Sequence, residues 1–166
     1  MPTGGSLACL SLTGPDNLAL NILVNYGRQA GTGCYNSMVD TTFHFHPDPV
    51  DSSNNPTPYV DWNQTVETRV NSSIASDTQF LEAAFDSTYQ DPTITTSPQT
   101  ETRYYAYHIL FQARSQADTT RYQGRAEIKF AQGGGSFWSI VDWRDHSDGS
   151  GQPTWGQLRA DHRVGF

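Results

Sequence analysis

The chain has 166 residues, of which 36% are hydrophobic and 12% aromatic, and its 17 acidic against 10 basic side chains give a net charge of −7. This length suits one domain burying roughly 70% of the surface its unfolded form would expose, and excludes two domains of ordinary stability. The negative charge opposes attraction to nucleic acid and anionic membranes, and no run approaches the ~20 apolar residues of a membrane helix, so neither a nucleic-acid partner nor membrane insertion is expected.

The two cysteines, Cys9 and Cys34, permit one disulfide or two free thiols, and no Cys-x-x-Cys motif is present. Met1 to Leu12 has no basic n-region and no apolar run of signal length, so the expectation is a cytosolic chain or a mature form whose signal has been removed. Ser6-Leu7-Ala8-Cys9 is similar to the end of a lipoprotein signal. Nine Arg against one Lys, with abundant Ser, Thr, Asn, Asp and Gln, favour an exported bacterial protein, secreted or periplasmic, with a cytoplasmic one left open.

In chain order, Thr13-Gly14-Pro15-Asp16 reads as a helix start, because proline suits the first helical position and Asp16 the positive end of the helix dipole. The helix is expected over Asp16 to Gln29, with Leu18, Ile22, Leu23 and Tyr26 as its core stripe and Gly27 and Gly31 ending it. A short second helix fits Cys34 to Val39. Thr41 to His46 alternates strictly, which predicts a strand with Phe43 and Phe45 on one face and His44 and His46 on the other. Asp48 to Pro58, dense in Pro, Asp, Ser and Asn, is expected as an exposed loop. Asp61 then caps a predicted helix to about Ser73, with Trp62, Val66, Val70 and Ile74 inward and Glu67 among its exposed residues.

From Thr78 the pattern turns to strands, expected over Gln79–Tyr89, Arg103–Ser115, Arg121–Gln132 and Ser136–Asp145. A polar loop is expected between Pro92 and Pro98, a second over Gln116 to Thr120, and a tight turn at Gly133-Gly134-Gly135. Long strands joined by short loops predict an antiparallel meander. Tyr105, Tyr107, Ile109 and Phe111 share one face and meet Tyr122, Ala126, Ile128 and Phe130 across the ladder. His108, Gln112, Arg114, Arg125, Glu127 and Lys129 make the opposite face polar. Thr154 to Ala160 suits one helical turn. The expected organisation is an arm over 1–14, one domain over 15–160 and a tail over 161–166.

This order of elements resembles the SnoaL-like (nuclear transport factor 2-like) superfamily. The segment Pro15-Asp16-Asn17-Leu18 to Tyr26, followed by Met38-Val39-Asp40 and Phe43-His44-Phe45, is similar to the family's opening helix, short helix and first strand. Trp138-Ser139-Ile140-Val141-Asp142-Trp143-Arg144-Asp145 with Trp155-Gly156-Gln157-Leu158 is similar to the closing strand and tail of its bacterial members. The resemblance implies an α+β domain: a curved, cone-like antiparallel sheet with N-terminal helices packed on its concave face. It also implies an apolar pocket and, often, a homodimer; the partner expected for such a pocket is a small hydrophobic molecule, acted on without an organic cofactor. Members of the superfamily include isomerases, dehydratases, cyclases, epoxide hydrolases and domains without catalysis, so the fold leaves activity open. Its catalytic members place an Asp or His, sometimes an Asp-Arg-Asp relay, at the pocket floor, and no segment here matches such a relay.

Asp142 follows Trp138 and Ile140 at alternate positions, which directs its carboxylate to their apolar face, the setting of a general base. Arg144, two residues on, is its expected ion-pair partner, so the pair is either a pocket base with a modulating cation or a structural bridge. His108, central in the longest strand, is either a pocket acid or base or a hydrogen-bonded sheet residue. Tyr26, His44, Tyr105, Tyr107 and Trp138 complete the candidate ligand-binding set, the tyrosine hydroxyls being suited to an enolate or alkoxide. His44 and His46 form a His-x-His pair about 7 Å apart, able to present two imidazoles to a metal, with Asp48, Asp51 or His108 as candidate third ligands. Three readings follow. One is a small-molecule-binding domain acting by proton transfer, as an isomerase, lyase or hydrolase. Another is a non-catalytic exported domain whose pocket is filled by its own aromatics, and the third is a metal enzyme. A cavity of a few hundred Å³ with Asp142 or His108 at its floor favours the first, and one plugged by Tyr and Trp rings favours the second.

Overall fold

Periodic apolar residues decide which face each element turns inward, and in the computed structural model they turn toward one shared core. The structure describes residues 9–26 and 33–163. Among these are five helices, α1 (Pro15–Asn25), α2 (Gly33–Met38), α3 (Pro49–Asn54), α4 (Gln64–Asp77) and α5 (Trp155–Asp161). Five strands accompany them: β1 (Val39–His46), β2 (Thr78–Thr96), β3 (Gln99–Ala113), β4 (Thr120–Gln132) and β5 (Trp138–His146). The part of the first helix expected beyond Tyr26, the lipoprotein-like Ser6-Leu7-Ala8 and the last three residues of the tail lie outside the described residues.

The strands form one open sheet in the order β1-β5-β4-β3-β2. The meander β2 to β5 is antiparallel as expected, whereas β1 pairs parallel to β5, so the sheet is mixed. A parallel pair needs a long crossover, and α4 with the whole meander supplies it. The α+β class holds. Tyr105, Tyr107, Ile109, Phe111, Tyr122, Ala126, Ile128 and Phe130 lie on the inner face and are buried against Leu18 and Ile22 of α1, Val70 and Ile74 of α4 and Leu158 of α5. His108, Arg125 and Lys129 point to the outer face.

Three local expectations are corrected. Asp48 to Pro58 is not an open loop: Asp48 accepts a hydrogen bond from the Val50 amide and Pro49 occupies the first turn, so the Asp-Pro pair starts α3. α4 is capped by the Asn63 side chain, while Asp61 adopts φ 53°, a left-handed turn that aspartate tolerates better than most residues. The Pro92 to Pro98 stretch is largely strand, because β2 lies at the sheet edge, where a proline's missing N–H breaks no ladder.

Cys9 and Cys34 form a disulfide with Cα atoms 5.6 Å apart, tying the segment before α1 to α2. It closes a loop of 25 residues, and chain-entropy reasoning gives such a crosslink about 3 kcal/mol. Replacing both cysteines by serine is therefore expected to lower the urea midpoint by an equivalent amount with the native circular dichroism retained; an unchanged midpoint would show the crosslink to be energetically idle.

Candidate functional site

The inner face of the sheet is where the resemblance places a pocket, and two short helical segments deliver charge to it. On α4, Glu67 lies on the same stripe as Val70, Asn71 and Ile74, and all four are buried. On α5, whose amino end is capped by the Thr154 hydroxyl accepting from the Gln157 amide, Trp155, Leu158 and Arg159 fall at i, i+3 and i+4 and turn inward together. The Arg159 Nε and Nη2 groups each donate to Glu67 Oε1 at 3.1 Å. Tyr35 donates its hydroxyl to the same oxygen at 2.5 Å, and the Trp62 indole donates to Oε2 at 2.6 Å. The Arg159 guanidinium carbon also sits 4.2 Å from the Trp143 ring centroid and 4.6 Å from that of Phe45. Burial alone would push the Arg159 pKa down, and the Glu67 carboxylate, with smaller contributions from Tyr35, Tyr26 and Asp145, holds it above its usual range.

A second acid, Asp145, is fully buried on β5. It accepts from the Tyr107 hydroxyl at 2.7 Å and from the Gly156 amide at 2.6 Å, and the Trp155 amide donates in turn to the Tyr107 oxygen at 2.7 Å. The first amides of α5 thus converge on a carboxyl and its phenol partner, where the positive end of a helix favours them. Burial pushes the Asp145 pKa up to about 6, and the hydrogen bonds from Tyr107 and Gly156 restrain it from rising further. Room for the Tyr107 hydroxyl comes from Gly124 on β4, where a Cβ would stand 2.5 Å from the His146 carbonyl oxygen and 2.7 Å from that hydroxyl.

Trp155 fills the space between these groups. It has no exposed surface, and the rings of Trp143, Tyr26 and Tyr107 surround it at centroid distances of 4.7, 4.8 and 5.1 Å. Tyr26 lies so deep that burial pushes its hydroxyl up to about 12. Tyr26 and Tyr107 are therefore brought together as expected, but around a tryptophan of the chain itself. Tyr105 shares their face and stacks on Phe85 at 4.1 Å, and Trp138 is buried farther along β5.

The other expected site residues stand on the outer face. Asp142 does not share the face of Trp138 and Ile140: Phe130 pairs with Ile140 and Lys129 with Asp142, so Val141 is an extra residue, a bulge that reverses the alternation. Trp143 and Asp145 are turned inward by it, and Asp142 and Arg144 outward. There Asp142 accepts from Arg144 Nε at 3.4 Å and lies 2.8 Å from His46 Nε2. Asp142 and Arg144 border an open groove of about 380 Å³ that also includes Thr102, Tyr104, Glu127, Lys129 and Val141. His108 is also on the outer face, its Nδ1 2.8 Å from Asp86, and no contact joins it to Asp142. His44 is exposed on β1. The candidate third metal ligands are engaged elsewhere, Asp48 by the Val50 and Ser147 amides and Asp51 by Thr154 and Gln157. Among the described residues no group of three His, Cys, Asp or Glu is placed to hold a metal.

Sequence reasoning missed Glu67, Asp145 and Arg159. A signal for Asp145 existed: Trp138 and Trp143 are five apart, and two such rings share a core only if the strand is bulged between them. Glu67 was assigned to the exposed side by the stripe Trp62-Val66-Val70, whereas the helix is rotated so that Val66 is only partly buried and Glu67 faces in.

An open sheet wrapped around helices, with its inner acids met by a carboxy-terminal helix, defines a cone-shaped α+β domain. No family model matches the sequence, and no curated protein matches it. Solved structures do match the fold. A protein from Planctomyces limnophilus superposes with a TM-score of 0.63 at 12% identity, over 78% of this chain and 89% of its own. A nuclear transport factor 2-like superfamily protein from Salmonella enterica serovar Typhimurium gives 0.60 at 12% identity, over 81% and 90%. A proposed scytalone dehydratase from Novosphingobium aromaticivorans gives 0.61 at 3% identity, over 78% of each. The chain thus has the nuclear transport factor 2-like, or SnoaL-like, fold, and at these identities the likeness speaks for the fold alone.

The Asp145 carboxyl makes stability depend on pH in a definite sense. Its folded value of about 6 exceeds the unfolded 3.8, so the contribution of the protonated group is fully present below pH 3.8 and is lost as pH rises through 6. The loss amounts to about 3 kcal/mol. In urea titrations from pH 4 to 8, Asp145→Asn is expected to flatten this part of the profile relative to the parent chain; parallel profiles would mean that the carboxyl does not titrate there.

Proposed function

We propose that the chain is a non-catalytic binding domain of the nuclear transport factor 2-like fold, working in an oxidising compartment outside the cytoplasm, with the inner face of its cone serving as structural core. The observation that carries this reading is Trp155: the space that would receive a small hydrophobic molecule holds the chain's own indole, and both inner acids are met by protein donors. The Cys9–Cys34 disulfide supports the compartment. Ligands are then bound at the surface rather than in the interior.

A second reading, cofactor-independent proton transfer, draws support from one feature. Asp145 combines full burial, a pKa near 6 and a fixed orientation, the attributes of a general base, and one protein of the same fold is described as a proposed dehydratase. This reading requires α5 to leave the interior.

Trp155→Ala separates the two. Truncation is expected to cost about 4 kcal/mol and to leave an indole-sized hole, so that added indole raises the thermal midpoint of the variant but not of the parent chain. The parent chain is expected to show neither a midpoint shift nor turnover with a panel of hydrophobic lactones, epoxides and steroids. Turnover of any panel member that Asp145→Asn abolishes would overturn the binding-domain reading in favour of the second.

A further inference from the structure

The chain carries two Asn-x-Ser/Thr acceptor triplets, Asn63-Gln64-Thr65 and Asn71-Ser72-Ser73, and a third asparagine, Asn55, is excluded by Pro56. Both triplets belong to α4, one at its amino end and the other inside it, and the fold gives them opposite settings. Asn71 is 2% exposed, its Nδ2 donates to Asn36 Oδ1 at 3.2 Å, and its Oδ1 accepts from Asn25 Nδ2 at 2.9 Å. Its nitrogen is thus enclosed between α1, α2 and α4, and a sugar attached there has no room unless those helices part.

Asn63 stands before the first turn of the helix. Its backbone is extended, with φ −123° and ψ −175°, and the left-handed Asp61 turns the chain just ahead of it. Asn63 and Thr65 are both exposed, while the buried Trp62 anchors the segment through its indole bond to Glu67. Asn63 Oδ1 accepts from the Val66 amide at 3.2 Å, and Nδ2 makes no hydrogen bond among the described residues. The acceptor nitrogen is therefore free of the fold, whereas the oxygen of the same amide holds the helix cap. Replacing one Nδ2 hydrogen leaves that oxygen in place, so the cap survives modification. Val60, in the same turn, is an exposed apolar side chain of the kind that a bulky hydrophilic group shields.

We propose that Asn63 is an N-glycosylation site and that Asn71 stays unmodified in the folded protein. The donor is a lipid-linked oligosaccharide diphosphate at the membrane the chain crosses on export. Asn63 Nδ2 forms a bond to the anomeric carbon of the first sugar, and the bond from that carbon to the diphosphate oxygen breaks. The lipid diphosphate leaves, and one amide proton passes to solvent. A chain modified at Asn71 instead could not close α1 and α2 onto α4, so folding retains only chains with that position bare. This proposal rests on the reading that places the chain outside the cytoplasm, where the Cys9–Cys34 disulfide also forms.

The test is intact-mass spectrometry of the full chain, purified from its native source and, in parallel, secreted by yeast behind a cleavable signal. Both samples are measured before and after treatment with peptide-N-glycosidase. The mass excess of a single N-glycan is expected in each, removed by the enzyme with deamidation at Asn63. In the yeast product, Thr65→Ala leaves the Asn63 cap in place and is expected to abolish the excess completely, with the thermal midpoint of the enzymatically stripped parent. Thr65→Ser is expected to retain the excess and Ser73→Ala to leave it unaltered. A native chain without the excess, whatever the yeast product shows, or a folded chain with its glycan on Asn71, would overturn the proposal. Failure of the underlying reading looks different: thiol titration of the native chain would find Cys9 and Cys34 free, whereas an oxidised chain without a glycan removes the site alone.

Discussion

The buried pair of Glu67 and Arg159 is the constraint around which the interior is arranged. Neither charge reaches solvent, so each needs the other and every remaining donor or acceptor nearby. The pair itself adds little net stability, because desolvating two ions offsets most of their attraction, but separating them would strand a charge at a cost of about 3–5 kcal/mol. Its effect is therefore selective. Only a docking of α5 that brings Arg159 to Glu67 is tolerated, and that docking carries Trp155 to the centre of the cone. A helix of seven residues has no stability of its own in water, so α5 exists because this contact and its burial hold it.

The amino end of the same helix is fixed by a second set of bonds. Thr154 donates its hydroxyl to Asp51 at 2.7 Å, Gln157 reaches the other oxygen of Asp51 at 2.7 Å, and the Gly156 amide meets Asp145. This gives α3 its role. A segment whose composition suits an exposed loop folds into a helical turn because Asp51 must be presented, buried, to residues about a hundred positions later. Charge at one end of α5 and amides at the other thus pin it between α4, α3 and β5, and the fold's interior closes as a result.

Much of this was legible in the sequence. The strict alternation of Thr41 to His46 and of the β3 and β4 strands specified their faces correctly, because one face is fully apolar and a slip of one residue would expose it. The stripe Leu18, Ile22 and Tyr26 likewise placed α1. What was not legible depends on partners distant in the chain. The bulge at Val141 breaks the period that assigned Asp142 inward, and it is imposed by the need to bury Trp138, Ile140 and Trp143 together. Glu67 reads as a surface residue until Arg159, 92 positions away, is brought against it. Local periodicity carries no information about such a pairing.

The docking of α5 also decides what the interior can admit. Inside the cone, the carboxylates of Glu67 and Asp145 each accept hydrogen bonds from side chains or amides of the chain, so a ligand entering there would have to replace existing bonds and displace an indole. The Tyr26 hydroxyl, the Trp143 and Trp155 indole N–H groups and Arg159 Nη1 are buried there without a hydrogen-bond partner among the described residues, and they are enclosed with that indole, so a ligand would reach them only if α5 left the interior. The contact that carries Arg159 to Glu67 is therefore also the contact that keeps the interior shut.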